Sequence, residues 1–429
     1  MAWLCRSIIS RLGLLVLALV ACEAGLQAAS LMSVTVRRLL MPPWDVTAPT
    51  ARDARLLYRG NPHNPEHDSA GYRNPTRPAQ AHVITLGDSH TYGPSNSKDG
   101  WPSVLEGHLH RTVYNMGMPG YGPGQNLLQL GDALSLRPGI VILAPYLGND
   151  FFDAYVFSPR SPELLAGISP SLLSAAAAEE RRSSIKRERA VFFPFSARDR
   201  RSAAWGPKEW VSNHVKLYGL LRALRFQLTR SSPPAILSRN FEVAVAALTP
   251  DERQYALPLD AGAWRTVLTP EYRGRALDDR DPRIKVGFEV TRAVLVAMEE
   301  RCRAAGISFL VVVLPTKESV FWPRVGDPSR YPGLERLVRD EARLKRELVA
   351  TLQQRGIAYV DMLEALRSSP VQTYYEDIDG HPNEDGHKTI AVGVAQRVRQ
   401  ILRLSADNAP FQHERKDRLA AAAKRRSGP

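Results

Sequence analysis

The sequence predicts an α/β fold, a three-layer α/β/α sandwich on a parallel sheet, extended by a helical insertion and an apolar N-terminal segment. Three observations carry that expectation. Four short apolar runs, at 82–86, 140–143, 309–314 and 357–360, each end in a polar or turn-forming loop, as strands buried on both faces do. The stretches 286–305, 334–355 and 384–402 place apolar residues on one helical face, and the first two stop at Gly306 and Gly356. Buried strands alternating with one-sided helices argue for a parallel sheet covered on both sides. Finally, 429 residues, 44% of them apolar and 24% charged, can bury a full core, and with 29 Gly, 32 Pro and 3 Cys the chain is neither disordered, collagen-like nor disulfide-stapled.

The elements follow in order. Residues 12–22 are apolar apart from Gly13, follow Arg6 and Arg11, and lead into an uncharged stretch at 24–36, interrupted only by Glu23 and closed by Arg37 and Arg38. A positive flank before an apolar core is a secretory-type signal, and 12–36, rising about 1.5 Å per residue as a helix, is long enough to span a bilayer. Leu19-Val20-Ala21-Cys22 also reads as a lipobox in which Cys22 would be acylated. An uncleaved signal-anchor, a lipoprotein and a cleaved signal peptide are the competing outcomes for residues 1–38. All three place the rest of the chain outside the cytoplasm, in the cell envelope or on the outer face of a bacterial inner membrane; a buried core helix would not. Residues 39–80, rich in Pro, Asn, Asp and Arg without an apolar period, read as a linker or extended arm.

The core domain is expected at 81–157 and 285–404. Between its halves, residues 158–284 hold 21 Lys or Arg against 14 Asp or Glu, a large part of the chain's net charge of +13. Ala- and Arg-rich pieces at 172–189 and 211–228 look helical and 231–234 looks like a loop, so this segment reads as an inserted, mostly helical subdomain. Residues 405–429, with Lys424, Arg425 and Arg426, read as a disordered basic tail. No nucleic-acid motif accompanies the positive charge, so nucleic acid is not expected as a partner. Cys5 and Cys22 lie in the N-terminal segment and Cys302 stands alone, which leaves no disulfide framework.

Chemistry concentrates in four short segments. Gly87-Asp88-Ser89-His90-Thr91 directly follows the first apolar run, which sets a serine at the carboxyl edge of the sheet and the start of a helix, where N–H groups favour a developing oxyanion; an ordinary helix-capping turn would look the same. Asn115-Met116-Gly117-Met118-Pro119-Gly120 is a glycine-rich loop that can bring an N–H close to a ligand. Gly148-Asn149-Asp150 offers a side-chain amide at the same edge, and Asp379-Gly380-His381 supplies a carboxylate two residues from an imidazole. Asp379, His381, Asp385 and His387 could be read as metal ligands, but no His-Glu-x-x-His pattern or Cys partner accompanies them, so neither metal nor cofactor is expected. His387 reads as a packing or capping residue, Asp150 as a cap, and His90 as too close to Ser89 to act on it. Lys317 and Glu318 either line the pocket or form a surface ion pair. The Gly-x-Ser-x-Gly elbow of α/β-hydrolases is absent around Ser89.

In order along the chain, these four segments resemble the blocks of the SGNH superfamily of GDSL-type hydrolases, in particular its membrane-anchored bacterial members. Residues 69–73, 101–106 and 314–320 are similar to family features as well, and the resemblance spans about 69–157 and 285–403. It implies a flavodoxin-like SGNH fold, with Ser89 as nucleophile, His381 as general base and Asp379 orienting the imidazole. It further implies an oxyanion hole from the Ser89 N–H, the Gly117 N–H and the Asn149 side chain. The family spacing is Asp-x-x-His, yet Ile378 stands at the expected position, so Asp379 and Asp377 both compete for the acid; relatives that acetylate alginate use an Asp-x-His pair. The implied function is a serine esterase acting outside the cytoplasm on a small-molecule or glycan ester through an acyl-enzyme on Ser89. The alternatives are an O-acetyltransferase of a cell-envelope polysaccharide, a non-catalytic binding protein on the same fold, and an envelope protein acting through its basic insertion alone. The insertion itself is expected either as a lid whose basic face meets anionic lipid or polysaccharide, or as a plain structural cover.

Overall fold

The computed structural model describes residues 2–32, 36, 50–182, 211, 215–218, 220, 221 and 240–402, apart from 63, 65, 95 and 251. The loop expected at 231–234, the basic tail at 405–429, most of the helix expected at 211–228 and the end of that at 172–189 lie outside the described residues.

Nine strands are described. β1 (Thr50–Asp53) and β2 (Leu57–Gly60) form an antiparallel hairpin; β3 (Val83–Gly87), β4 (Val113–Asn115) and β5 (Ile140–Ala144) follow. A second hairpin, β6 (Leu257–Ala261) and β7 (Trp264–Leu268), precedes β8 (Ser308–Val313) and β9 (Ala358–Asp361). The central sheet is parallel throughout, in the order β4-β3-β5-β8-β9. Counted along the chain, its strands therefore stand second, first, third, fourth, fifth, the flavodoxin-like doubly wound order whose switch point lies between β3 and β5. Register matters there, because Gly87 pairs with Ala144 and the two strands end level. Whatever follows β3 and β5 emerges side by side at the carboxyl edge.

Successive strand residues point to opposite faces, and both faces are buried. Ile84, Leu86, Val141, Leu143, Val311 and Val313 pack with Val290, Val294 and Leu295 of the helix Pro282–Ala304 and Leu344, Leu348 and Leu352 of the helix Pro332–Gln354. Val83, Ile140, Ile142, Leu310 and Val312 pack with Leu105 of Trp101–Leu109 and Ile390, Val394 and Val398 of Glu384–Leu402. Three layers result, as the sequence predicts. β4 escaped the sequence reading because three residues carry no period and its last, Asn115, opens the glycine-rich loop.

Two parts differ from expectation. Residues 50–80 are not a free linker: Asn74 Nδ2 donates to Asn115 O at 2.8 Å, the Asn115 amide donates back to Asn74 Oδ1 at 2.9 Å, and Tyr114 Oη donates to Asp68 Oδ2 at 2.7 Å. The polar residues that suggested an arm are thus partners for the exposed edge of β4, which a sheet must cover. Residues 158–284 contain the helices Pro170–Arg182, Phe241–Ala246 and Pro270–Gly274, but also the hairpin β6–β7. That hairpin is tied to the core, with Val267 N donating to Glu376 O at 3.1 Å and Thr266 Oγ1 to Tyr375 O at 2.8 Å. At the N-terminus the helix Ala2–Met32 contains one stretch, Ser10–Met32, long and apolar enough to cross a membrane, with mean hydropathy 1.9. The polar residues in its second half are hydrogen-bonded: Glu23 accepts from Gln27 Nε2 and from the Lys216 and Leu217 amides of the insertion, and Ser30 Oγ donates to Gln27 O.

Candidate active site

β3 ends at Gly87, whose φ of +154° suits glycine and where a Cβ would lie 2.3 Å from Thr91 Oγ1. That sharp exit turns the chain into the short helix Ser89–Tyr92, capped by Asp88, whose carboxylate accepts from the His90 amide at 2.9 Å. Ser89 is left half-buried at the sheet edge.

His381 reaches it from the far end of the sequence. Its Nδ1 donates to Asp379 Oδ1 in a short hydrogen bond, which leaves Nε2 to accept from Ser89 Oγ at 2.7 Å. Asp379 Oδ1 also accepts from the His381 amide at 2.9 Å, and so holds both ring and backbone. Of the two competing acids, the contact falls to Asp379. Asp377 stands one step behind, accepting from the Asp379 amide at 2.9 Å. Burial alone would depress the His381 pKa, but the Asp379 carboxylate and its hydrogen bond prevail and raise it. Burial likewise works to raise the Asp379 pKa, and His381 and Lys317 hold it well below the usual carboxylate range.

A buried scaffold fixes this pair. His90 stacks on Tyr146 with ring centroids 3.7 Å apart and lies 4.5 Å from the His381 ring, forming a three-ring pile. Burial lowers the His90 pKa against the opposing pull of the Asp88 carboxylate, 3.2 Å from its Nδ1. Lys317, 1% exposed, donates through Nζ to the carbonyls of Asp377 at 2.7 Å and Asp379 at 2.6 Å; burial pushes its pKa down to about 8. Glu318, equally buried, accepts from the Thr269 amide at 2.8 Å. These two side chains are therefore not a surface ion pair. One braces the loop of Asp379 and the other the segment after β7.

The expected oxyanion donors fare differently. Asn149 stands at the edge after β5, where its Nδ2 donates one proton to Asp153 Oδ2 at 2.7 Å and keeps a second. Asp150 caps differently from expectation, its Oδ2 accepting from the Tyr146 amide at 3.1 Å; burial raises the pKa of both Asp150 and Asp153. Gly117 is a correction. Its amide already donates to Asn115 Oδ1 at 2.9 Å, so that N–H serves the loop.

The remaining candidates are structural. His387 is buried and its Nδ1 accepts from the Trp101 amide at 3.3 Å, and Asp385 pairs with Lys388 at 2.9 Å. Among the described residues no group of three or more His, Cys, Asp or Glu is placed to hold a metal ion. One residue at the site escaped the sequence altogether. Arg273, in the helix Pro270–Gly274, packs against Gly380, and as one arginine among many in the insertion it carried no signal.

Residues 276–425 match the family described as ALGX, SGNH hydrolase-like domain, acetyltransferase AlgX. The chain carries an SGNH hydrolase-like domain. The matched stretch includes Asp379 and His381 but not Ser89, which the fold brings to them. Solved structures similar to this one include a catalytic mutant of an acetylxylan esterase from Geobacillus stearothermophilus, at 10% identity over 74% of this chain and 94% of that one, with a TM-score of 0.34. Others are a carbohydrate acetylesterase family member from Sinorhizobium meliloti (12% identity, 75% and 99% of the two chains, TM-score 0.30) and a GDSL-like lipase from Bacteroides thetaiotaomicron (10%, 74% and 87%, TM-score 0.31). No curated protein matches the sequence. Around the SGNH hydrolase-like domain, the chain adds the apolar helix at its N-terminus and the insertion between β5 and β8.

Proposed function

We propose that the chain is a serine esterase whose SGNH hydrolase-like domain works through an acyl-enzyme on Ser89. The observation that carries this reading is the hydrogen-bonded series Ser89–His381–Asp379 at the switch point of the sheet, where open parallel sheets bind ligands. His381 Nε2 takes the Ser89 proton as Oγ attacks the ester carbonyl carbon, and the Asp379 carboxylate stabilises the imidazolium that forms. The carbonyl oxygen becomes an oxyanion beside the Ser89 amide and the free N–H of Asn149. His381 then returns the proton to the departing alkoxide, and the cycle repeats with water, which releases the acid and restores Ser89. The apolar helix Ser10–Met32 fits a membrane anchor that holds this site at the outer face of a bacterial inner membrane.

A second reading has its own support. The family matched at residues 276–425 is described as an acetyltransferase, and acyl transfer to a sugar hydroxyl uses the same acyl-enzyme with a different attacking group. Labelling with a fluorophosphonate probe, followed by turnover of acetyl and longer acyl esters with and without sugar acceptors, tests both. Labelling is expected in the wild type and not in Ser89→Ala. A chain labelled equally in both would overturn the nucleophile, and product on sugar in preference to free acid would favour the transferase.

A further inference from the structure

Arg273 has no part in the chemistry above, yet it lies against the reacting pair. The helix Pro270–Gly274 that carries it is pinned at its start by Glu318, whose Oε1 accepts from the Thr269 amide at 2.8 Å and from its hydroxyl at 3.3 Å. Its guanidinium packs on Gly380, the residue between Asp379 and His381, where a Cβ would lie 2.5 Å from Arg273 Nη2. The Cζ stands 5.6 Å from the Tyr146 ring centroid and 5.1 Å from that of Tyr272. Those two rings are apolar walls with a favourable face, not hydrogen-bond acceptors of ordinary strength.

Among the described residues the Arg273 side chain forms no ion pair and no hydrogen bond, and its Nε is buried without an acceptor. A guanidinium is always charged and carries five donors, so one enclosed without a partner is costly unless something anionic meets it. The carboxylates whose field reaches it form no ion pair with it: Asp379 holds His381, and Glu318 holds Thr269 through Oε1 while its Oε2 is buried without a partner. Their negative charge also sets what can bind. A dianion would be repelled beside them, whereas a monoanion matches the planar fork of the guanidinium.

We propose that Arg273 determines specificity at this site by seating a monoanionic group of the substrate, a carboxylate or a phosphodiester, next to the ester bond that Ser89 attacks. The proposal rests on the acyl-ester reading of Ser89. It makes Gly380 necessary in a way the Asp-x-His spacing alone does not, since any side chain there would displace the guanidinium.

The test compares three esters that share one leaving-group ring: 4-acetoxybenzoate, its neutral methyl ester, and 4-acetoxyphenyl methyl phosphate. With the full chain, kcat/KM for an anionic ester relative to the neutral one is expected to fall about 10- to 100-fold in Arg273→Met, the usual range for a hydrogen-bonded charge pair, and less in Arg273→Lys. Whichever anion the wild type prefers identifies carboxylate or phosphodiester as the recognised group. A wild type indifferent to charge, or an unchanged ratio in Arg273→Met, overturns the proposal. Binding of the same compounds to Ser89→Ala by calorimetry separates the two readings, because it needs no turnover. Anion-selective binding lost in Ser89→Ala/Arg273→Met with no ester cleaved by the wild type would uphold Arg273 and sink the esterase.

Discussion

Replacing Asp379 by Asn changes one oxygen into an amide nitrogen and should nearly abolish turnover. In the wild type the carboxylate can only accept, which fixes the His381 proton on Nδ1 and leaves Nε2 free to take the proton of Ser89 Oγ. An amide N–H facing Nδ1 reverses that arrangement: Nδ1 must accept, Nε2 carries the proton, and the base is lost while the packing survives. A loss of about 10³–10⁴ in kcat follows, equivalent to ~4–5.5 kcal/mol of transition-state stabilisation. The pH profile supplies a second readout. His381 acts as a base only when neutral, so activity is present above its pKa and lost as pH falls through it. Asp379 holds that pKa above its ordinary value, and without the carboxylate, burial and Arg273 pull it down, so the acidic limb must move to lower pH. The assay is kcat and kcat/KM on an acetyl ester across the neutral range for Asp379→Asn and Asp377→Asn, with folding checked by thermal melting. Asp377 supports the Asp379 amide from behind, so its variant should lose about tenfold or less. A larger loss in Asp377→Asn than in Asp379→Asn, or an acidic limb that stays in place, would refute the reasoning.

Two other outcomes are expected. Asn149→Ala should lower kcat by about 10²–10³ with a small change in KM, since its remaining N–H would act on the oxyanion rather than on the bound ester; an equal rate would remove it from the site. His387 should make the fold acid-sensitive: burial holds its pKa down to about 3 against an ordinary 6.5, so the unfolded chain takes up a proton first and stability, intact above the ordinary value, falls as pH drops toward 3. The full effect is on the order of 5 kcal/mol, and His387→Gln, melted across the acidic range, should show a flatter decline than the wild type.

The parts of the fold that the sequence disclosed are those where burial leaves a local record. Ile140–Ala144 and residues 309–313 are apolar along their length because helices cover both faces, and Pro332–Gln354 shows its buried stripe against a charged remainder. The Ser89 segment stood out because glycine, aspartate and histidine crowd into the turn after such a run, and the His381 segment because a carboxylate stands two residues from an imidazole just before the last helix. What escaped depends on distant partners. Lys317 and Glu318 look like a solvated pair until the carbonyls of Asp377 and Asp379 and the Thr269 amide are placed against them. The resemblance assigned Gly117 as a donor without knowledge of where the Asn115 side chain would turn. β6–β7 was hidden by a segment whose Ala and Arg content suggests helix, and Arg273 by the abundance of its own kind.

The hydrogen bond from Ser89 to His381 joins residues 292 positions apart. During synthesis, then, the hydroxyl emerges early and stays an ordinary alcohol until nearly all of the folded chain has followed it. β3, β4 and β5 can associate while the imidazole is still unmade, but the pairing that activates the serine belongs to the closing stage of assembly, the slow, non-local part of folding. On the proposed acyl-enzyme reading, a nascent or prematurely terminated chain would be chemically silent toward esters. Reactivity would then await the docking of the helix Glu384–Leu402, so that loss of turnover in a damaged molecule would report on the integrity of the whole sandwich and not on its serine.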